Sequence, residues 1–112
     1  MPTLTKGQIT KIKRHFQRGR GPKIPLIFAA LADPGRFRVF QLLVKHCGVC
    51  VSDVAGVLGT SLPAASQQLK ILEMSGVVKK KRSGKMRCYT LRVEDSLVKS
   101  IINIINKRSK KN

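Results

Sequence analysis

Residues Ser61–Leu91 read SLPAASQQLKILEMSGVVKKKRSGKMRCYTL, and their pattern decides the fold. Thr60-Ser61 supplies a turn and an N-cap, and a helix is expected over Leu62–Met74, closed by Gly76. Ala65, Leu69 and Leu72 recur on one side of that helix and should pack inward. Its opposite, N-terminal face offers Ser61, Ala64, Ser66, Gln67 and Gln68. Glutamine can pair bidentately with adenine in a major groove, small residues permit close approach, and serine can contact phosphate or base. Lys70, further along, suits a backbone phosphate. Beyond Gly76, strands are expected over Val77–Arg82 and Lys85–Arg92, joined at Ser83-Gly84. Val77, Met86, Cys88, Tyr89 and Leu91 would face the body of the domain. Lys80, Lys81, Arg82, Lys85 and Arg87 would form a basic wing that reaches phosphate or the minor groove. Two neighbouring glutamines or a run of lysines alone would describe an ordinary solvated surface; their order along one stretch gives them a geometry.

Upstream, a short helix is expected over Val51–Leu58, with Gly59 just past its end. Together with Leu62–Met74 it makes a helix-turn-helix. Before it, Asp33-Pro34 is a strong helix-start signal, because Asp caps and Pro suits the first helical position. The helix that follows should turn Phe37, Val39, Phe40, Leu42 and Leu43 inward and Arg36 and Arg38 outward or onto phosphate, ending near His46 and Gly48. A further helix over Lys23–Ala32 carries Ile24, Ile27, Phe28 and Leu31. Glu94-Asp95 open a last helix over Ser96–Lys107, with acids at its start and Lys107 and Arg108 at its end, both favourable to the helix dipole. The expected fold is mainly α with a small β-hairpin: a winged helix-turn-helix in the order α-α-α-α-β-β-α. Residues 1–22 form a basic arm, 23–107 the DNA-binding and dimerisation domain, and 108–112 a basic tail. Within the arm, Thr5 and Gln8 stand at capping-box spacing and Ile9, Ile12 and Phe16 at helical intervals, so a short helix is expected before Gly19, Gly21 and Pro22 break it. From Lys6 to Lys23 there are seven basic residues and no acid.

Composition narrows the partner. The chain of 112 residues carries 23 Lys+Arg against 5 Asp+Glu, a net charge of +18, with 42% apolar residues. A folded domain so charged repels itself unless a polyanion is present, and nucleic acid is the expected partner. No apolar run approaches the ~18 residues of a membrane span, and the Met1 end lacks the apolar core of a signal peptide. The expected location is the cytoplasm, with no membrane partner. No small-molecule substrate is implied: carboxylates are few, and there is neither a Ser/His/Asp pattern nor a glycine-rich phosphate loop, which argues against an enzyme. Binding without sequence preference, as in a DNA-coating or RNA-binding protein, remains the alternative to operator recognition.

Several segments in sequence order resemble the ArsR/SmtB family of winged-helix repressors over roughly Ile27–Leu91. ALADPGRFRVFQLL is similar to that family's ALADPTRLRIL-type segment, SLPAASQQLKILEMSGVV to its SQPAVSHHLKVLREAGLV-type recognition helix, and KKKRSGKMRCYTL to its wing. The resemblance implies a homodimer built from the first and last helices, bound to a pseudo-palindromic operator and blocking transcription. Ile24, Ile27, Leu97, Ile101, Ile102 and Ile105 are the expected dimer-forming residues. The apolar stripe of the last helix, which also includes Val98 and Ile104, is wider than one side of a small domain needs.

Members of this family commonly release DNA when an inducer binds, often a thiophilic metal or metalloid. Here GVCVSDV matches the family's ELCVCDL, but Ser52 stands at the second cysteine, and a single thiolate is a poor anchor without partners. A second family site, on the last helix, needs histidines, and none follows His46. Cys47 and Cys50 form a CxxC beside His46, and a helix N-terminus in so basic a chain lowers a thiol's pKa. Three readings stay open for Cys47 and Cys50: a reversible thiol switch by disulfide or persulfide, a site for a thiophilic metal or metalloid ion, or small buried apolar residues. No other cofactor is implied. Cys88 reads as core, His15 and His46 as surface, and an odd cysteine count in a reducing compartment argues against a structural disulfide.

Overall fold

A computed structural model describes residues 3–18 and 23–110. The expected break at Gly19, Gly21 and Pro22, and the last two residues of the basic tail, lie outside the described residues. Helix α1 (Lys6–Gln17) starts on a reciprocal cap: Gln8 N–H donates to Thr5 Oγ1 at 3.1 Å, and Thr5 N–H to Gln8 Oε1 at 2.9 Å. It buries none of its residues, and Leu4, Ile9, Ile12 and Phe16 are exposed.

Helices α2 (Lys23–Ala32) and α3 (Pro34–Lys45) are separated by Asp33 alone. Asp33 is extended and its carboxylate accepts the Arg36 N–H at 3.0 Å, while Pro34 occupies the first helical turn, where a missing N–H costs nothing. After α3, Gly48 takes φ +78° and the chain enters strand β1 (Val49–Cys50), then directly α4 (Val51–Leu58). Asp53 accepts the Cys50 N–H at 3.0 Å and so closes the start of α4. Gly59 ends it in the left-handed region, φ +66°, where a side chain would be strained. Helix α5 (Leu62–Met74) follows, its start capped by Ser61 Oγ, which accepts the Ala64 N–H at 3.2 Å. Strands β2 (Val78–Ser83) and β3 (Met86–Leu91) and helix α6 (Ser96–Lys110) complete the fold. Asp95 caps α6, accepting N–H bonds from Leu97 at 2.9 Å and Val98 at 3.1 Å.

The core lies where α3, α5 and the sheet meet: Val39, Phe40, Leu69, Leu72, Val77 and Val98 are fully buried. Burial of each of the larger side chains is worth roughly 1.5–3 kcal/mol, so α5 is held by Leu69 and Leu72 and its other side stays free. Among the described residues there are six helices, and no helix is long and apolar enough to cross a membrane.

The fold is the expected winged helix-turn-helix, with local departures. The sheet has three strands in the order β1-β3-β2, because the unforeseen β1 pairs antiparallel with β3 through Val49↔Tyr89 and Cys50↔Cys88. The hairpin strands are each displaced by about one residue from their expected limits, and α6 runs on to Lys110. Met86, expected against the body, is exposed near the wing tip, as are Ile24, Phe28 and Ile104 on α2 and α6. Ile27, expected at a dimer contact, is instead only 1% exposed inside the protomer's own core. The helical spacing of α2 turns Ile27 and Ala30 inward together and leaves Ile24 and Phe28 facing out. Leu97, Ile101, Ile102 and Ile105 are partly buried against the core of their own protomer.

Candidate nucleic-acid interface

Because Ala65, Leu69 and Leu72 are fixed in the core, the solvent side of α5 is determined residue by residue. Ser61, Ala64, Gln67 and Lys70 are exposed, Ser66 is half-buried. Ser61 is also committed to its cap, so it offers the surface a hydroxyl whose oxygen already accepts a backbone N–H. Gln68 differs from its neighbour. It is half-buried, and its Oε1 accepts from Arg36 Nη1 at 3.1 Å. Arg36 accordingly departs from its expected outward position: its Nε donates to the Ala30 carbonyl at 2.8 Å, at the end of α2. The long guanidinium arm satisfies the helix-end carbonyl of the buried Ala30 there, which a solvent-directed rotamer would not do. Arg38, on the next turn of the surface, is exposed as expected.

In the wing, β2 and β3 pair with Lys80 opposite Tyr89, Lys81 opposite Cys88 and Arg82 opposite Arg87. Directly opposed residues project from the same face of an antiparallel ladder, so Lys80, Arg82, Arg87 and Tyr89 share the face toward α5. Like charges directly opposed, as at Arg82 and Arg87, destabilise a hairpin unless an anion lies between them. Between this face and α5 is a notch of about 400 Å³ lined by Ser66, Gln67, Lys70, Glu73, Lys80 and Arg87, together with Pro63 and Tyr89. A second hollow of about 410 Å³, with Arg38, Thr60, Ala64 and both glutamines on its walls, lies on the other flank of the helix start. Gln67 stands on the rim of both.

The chain's five acids are all used locally. Asp33, Asp53 and Asp95 cap helices, Asp95 also meeting Lys23 at 3.1 Å; Glu94 pairs with Lys79 and Arg92, each at 3.3 Å. Glu73 stands 4.0 Å from Lys80, the one acid in the notch. The Arg36 N–H foremost holds the Asp33 carboxyl below its ordinary value; burial opposes it, and the Arg36 charge adds to the lowering. The Val98 N–H foremost, with Lys23, does the same for Asp95. Burial, with Glu73 adding to it, raises Tyr89, so the phenol stays neutral. Among the described residues, Lys70, Lys81, Arg82, Lys85 and Arg87 have no acid within 4.0 Å.

The cysteines are arranged otherwise than their spacing implied. Cys50 is disulfide-bonded to Cys88, and Cys47 is free and exposed. The CxxC does not close on itself: Gly48, between its two cysteines, takes φ +78°, and Cys50 enters strand β1 while Cys47 stays outside it. The β1–β3 register instead sets Cys50 directly across from Cys88. Cys88, expected in the core, is buried there and bonded as well. No group of three or more His, Cys, Asp and Glu side chains gathers among the described residues. With Ser52 in place of a second thiol and the Cys50 sulfur bonded to Cys88, these residues do not fit the metal centre that the family resemblance brings to mind.

No protein-family model matches the chain. The cadmium resistance transcriptional regulatory protein CadC of Listeria innocua is 30% identical to it over 85 residues, 76% of this chain and 71% of that protein. A CadC homolog of Staphylococcus aureus is 27% identical over 95 residues, 85% of this chain and 77% of its own length. The chain belongs to the ArsR/SmtB family. It is thus a DNA-binding transcriptional regulator of the winged helix-turn-helix type, and its relatives are named as regulators, not enzymes. The homodimeric winged helix-turn-helix domain of a possible ArsR-family regulator from Mycobacterium bovis has the same fold, with a TM-score of 0.65 at 19% identity, covering 100% of this regulator and 93% of that chain.

Proposed function

We propose that this regulator is a homodimeric repressor that reads a pseudo-palindromic operator with Ser61, Ala64, Ser66 and Gln67 of α5 in the major groove and Lys80, Lys81, Arg82, Lys85 and Arg87 on flanking phosphate or minor groove. The observation that carries the reading is the notch between α5 and the wing, where Gln67 and Lys70 converge with Lys80 and Arg87. It combines base-reading and phosphate-binding groups in one concavity, and acids are absent from it apart from Glu73. The exposed Ile24, Phe28 and Ile104 support pairing through α2 and α6, and the two-fold would set two reading helices about 34 Å apart on the duplex. Residues 23–107 would then be the reading and pairing unit, with the basic arm and tail adding charge around it.

The test is competition at physiological salt between an operator selected from random duplexes and unrelated DNA. A repressor keeps a preference of roughly 10³-fold or more for its operator. A uniform loss of binding to every sequence would leave only a coating protein, the alternative that the charge alone allows.

A second reading concerns release. The Cys50–Cys88 bond supports thiol control, since it ties the start of α4 to the wing strand β3. A dithiol reductant would convert the disulfide to two thiols, itself becoming a cyclic disulfide, and loosen the wing from the helix-turn-helix. Cys47, bonded to neither, is left outside this pair.

A further inference from the structure

We propose that Gln68 is a positioning residue, clamped by Arg36 beneath α5, and that Gln67 alone of the two glutamines reads a base edge. The inference deepens the operator-reading role of α5 and rests on it. Gln68 Oε1 accepts from Arg36 Nη1 at 3.1 Å, and the same guanidinium donates through Nε to Ala30 O at 2.8 Å. Arg36 is itself anchored at the Asp33 cap through its N–H, at 3.0 Å. One half-buried arginine therefore joins the end of α2, the start of α3 and the middle of α5.

The amide of Gln68 has a matching setting at its other end. A Cβ on Gly35 would lie 3.2 Å from Gln68 Nε2 and 3.2 Å from Asp33 Oδ2, so glycine leaves the room in which that amide sits beside the carboxylate. An oxygen facing a guanidinium and a nitrogen on the side of a carboxylate is the orientation that the partners dictate. A half-buried glutamine whose amide is turned toward an arginine at one end and a carboxylate at the other must break that orientation to lay both ends on adenine, as a bidentate contact needs. Gln67 is exposed on the rims of both hollows beside α5. The core residues Leu69 and Leu72 fix the depth of α5, and the Arg36–Gln68 link opposes its rotation about its own axis, the motion that would swing Gln67 off a base.

The experiment uses the full chain and an operator selected from random duplexes. Affinity is measured for the operator, each of its single-base variants and unrelated DNA, and thermal unfolding is followed in parallel. Gln67→Ala should flatten the preference at a single position per half-site, by roughly tenfold. Gln68→Met and Arg36→Lys should each lower the operator-to-unrelated ratio by about tenfold, spread over every base beneath α5. Lysine keeps the charge but cannot hold two acceptors in a planar fork. The double variant should be no worse than either single one, the mark of a shared contact. Gly35→Ala, which crowds the amide and the Asp33 carboxylate alike, should move the same profile to a smaller degree and keeps the inference testable if Arg36→Lys fails to fold. If Gln68→Met erased one base preference while Arg36→Lys erased none, Gln68 would be a reader and the inference wrong. It would be equally wrong if both variants lowered the unfolding temperature but left the operator ratio intact. A wild-type chain with no operator preference would overturn the operator-reading proposal as well, which separates the two failures.

Discussion

Two acids illustrate how single residues set opposing properties of this regulator. Glu73 is the sole carboxylate between residues 61 and 92, and it faces Lys80 across the notch at 4.0 Å. A phosphate entering there meets its charge. At ~5 Å and a dielectric near that of water, one such repulsion is worth roughly 0.8 kcal/mol, or about fourfold in affinity. Glu73→Gln should therefore bind DNA about fourfold more tightly at low salt, with the gain fading as salt is added; titration by fluorescence anisotropy at two salt concentrations decides it, and an unchanged or weaker affinity would place Glu73 outside the DNA footprint. Asp95 acts on stability instead. It caps α6 and holds Lys23, and the Val98 N–H above all keeps its carboxyl below the ordinary 3.8. A depressed carboxylate contributes stability that is complete above its unfolded value and is lost as pH falls through the folded one. Asp95→Ala should cost about 1 kcal/mol near neutrality, a fall of roughly 5 °C in Tm. The gap between variant and wild type should close as the pH drops below about 4, and calorimetry that found it constant with pH would show the charge to be irrelevant. These caps were legible from the sequence, because Asp33, Ser61, Gly59 and Asp95 act within three or four residues of themselves. The inward turn of Arg36 was not: its acceptors lie on two other helices, and nothing local distinguishes it from the outward Arg38.

At the scale of elements the same division holds. Helix α5 and the hairpin were readable because a 3.6-residue apolar period and a glycine turn are properties of one segment. Strand β1 is two residues long and shows no alternation; it exists only because β3 lies beside it. The bond between cysteines 38 residues apart was hidden for the same reason, and the CxxC spacing drew attention to the wrong pair. The bond has a mechanical consequence. It fixes β3, and with it the wing, to the N-terminus of α4, so less freedom remains to be lost when the wing meets DNA. Reduction should weaken operator binding several-fold and leave Cys50→Ser, which has no bond to lose, unaffected. Alkylation before reduction should label Cys47 alone, and after reduction all three cysteines. Equal operator affinity of the oxidised and reduced wild type would remove the thiol from any part in release.

At the scale of the whole molecule, charge and apolar surface pose one problem each, and the proposed two-fold assembly on DNA would answer both. With a net charge of +18 and every acid committed to a cap or an ion pair, the basic face has no intramolecular counterpart. Ile24, Phe28 and Ile104 remain 57%, 55% and 56% exposed on the two helices that flank the core, more apolar surface than a lone domain of this size has reason to leave wet. Ile27 takes no part in this, since it is core; a charge there would unfold the protomer before it separated two of them. The informative substitution is therefore Ile104→Asp, on a residue that the protomer does not need. Its unfolding temperature, corrected for protomer concentration, should stay near that of a dissociated wild type, while sedimentation should show a monomer. Operator affinity should then fall by about 10²-fold or more, because the second half-site is no longer delivered at high effective concentration. The salt dependence should fall to roughly half its slope as well, each protomer contributing its own set of phosphate contacts. A variant that remained dimeric would mean that the exposed face of α2 and α6 serves some other contact, and a monomer that held the full operator with the original slope would mean that one wing and one reading helix suffice.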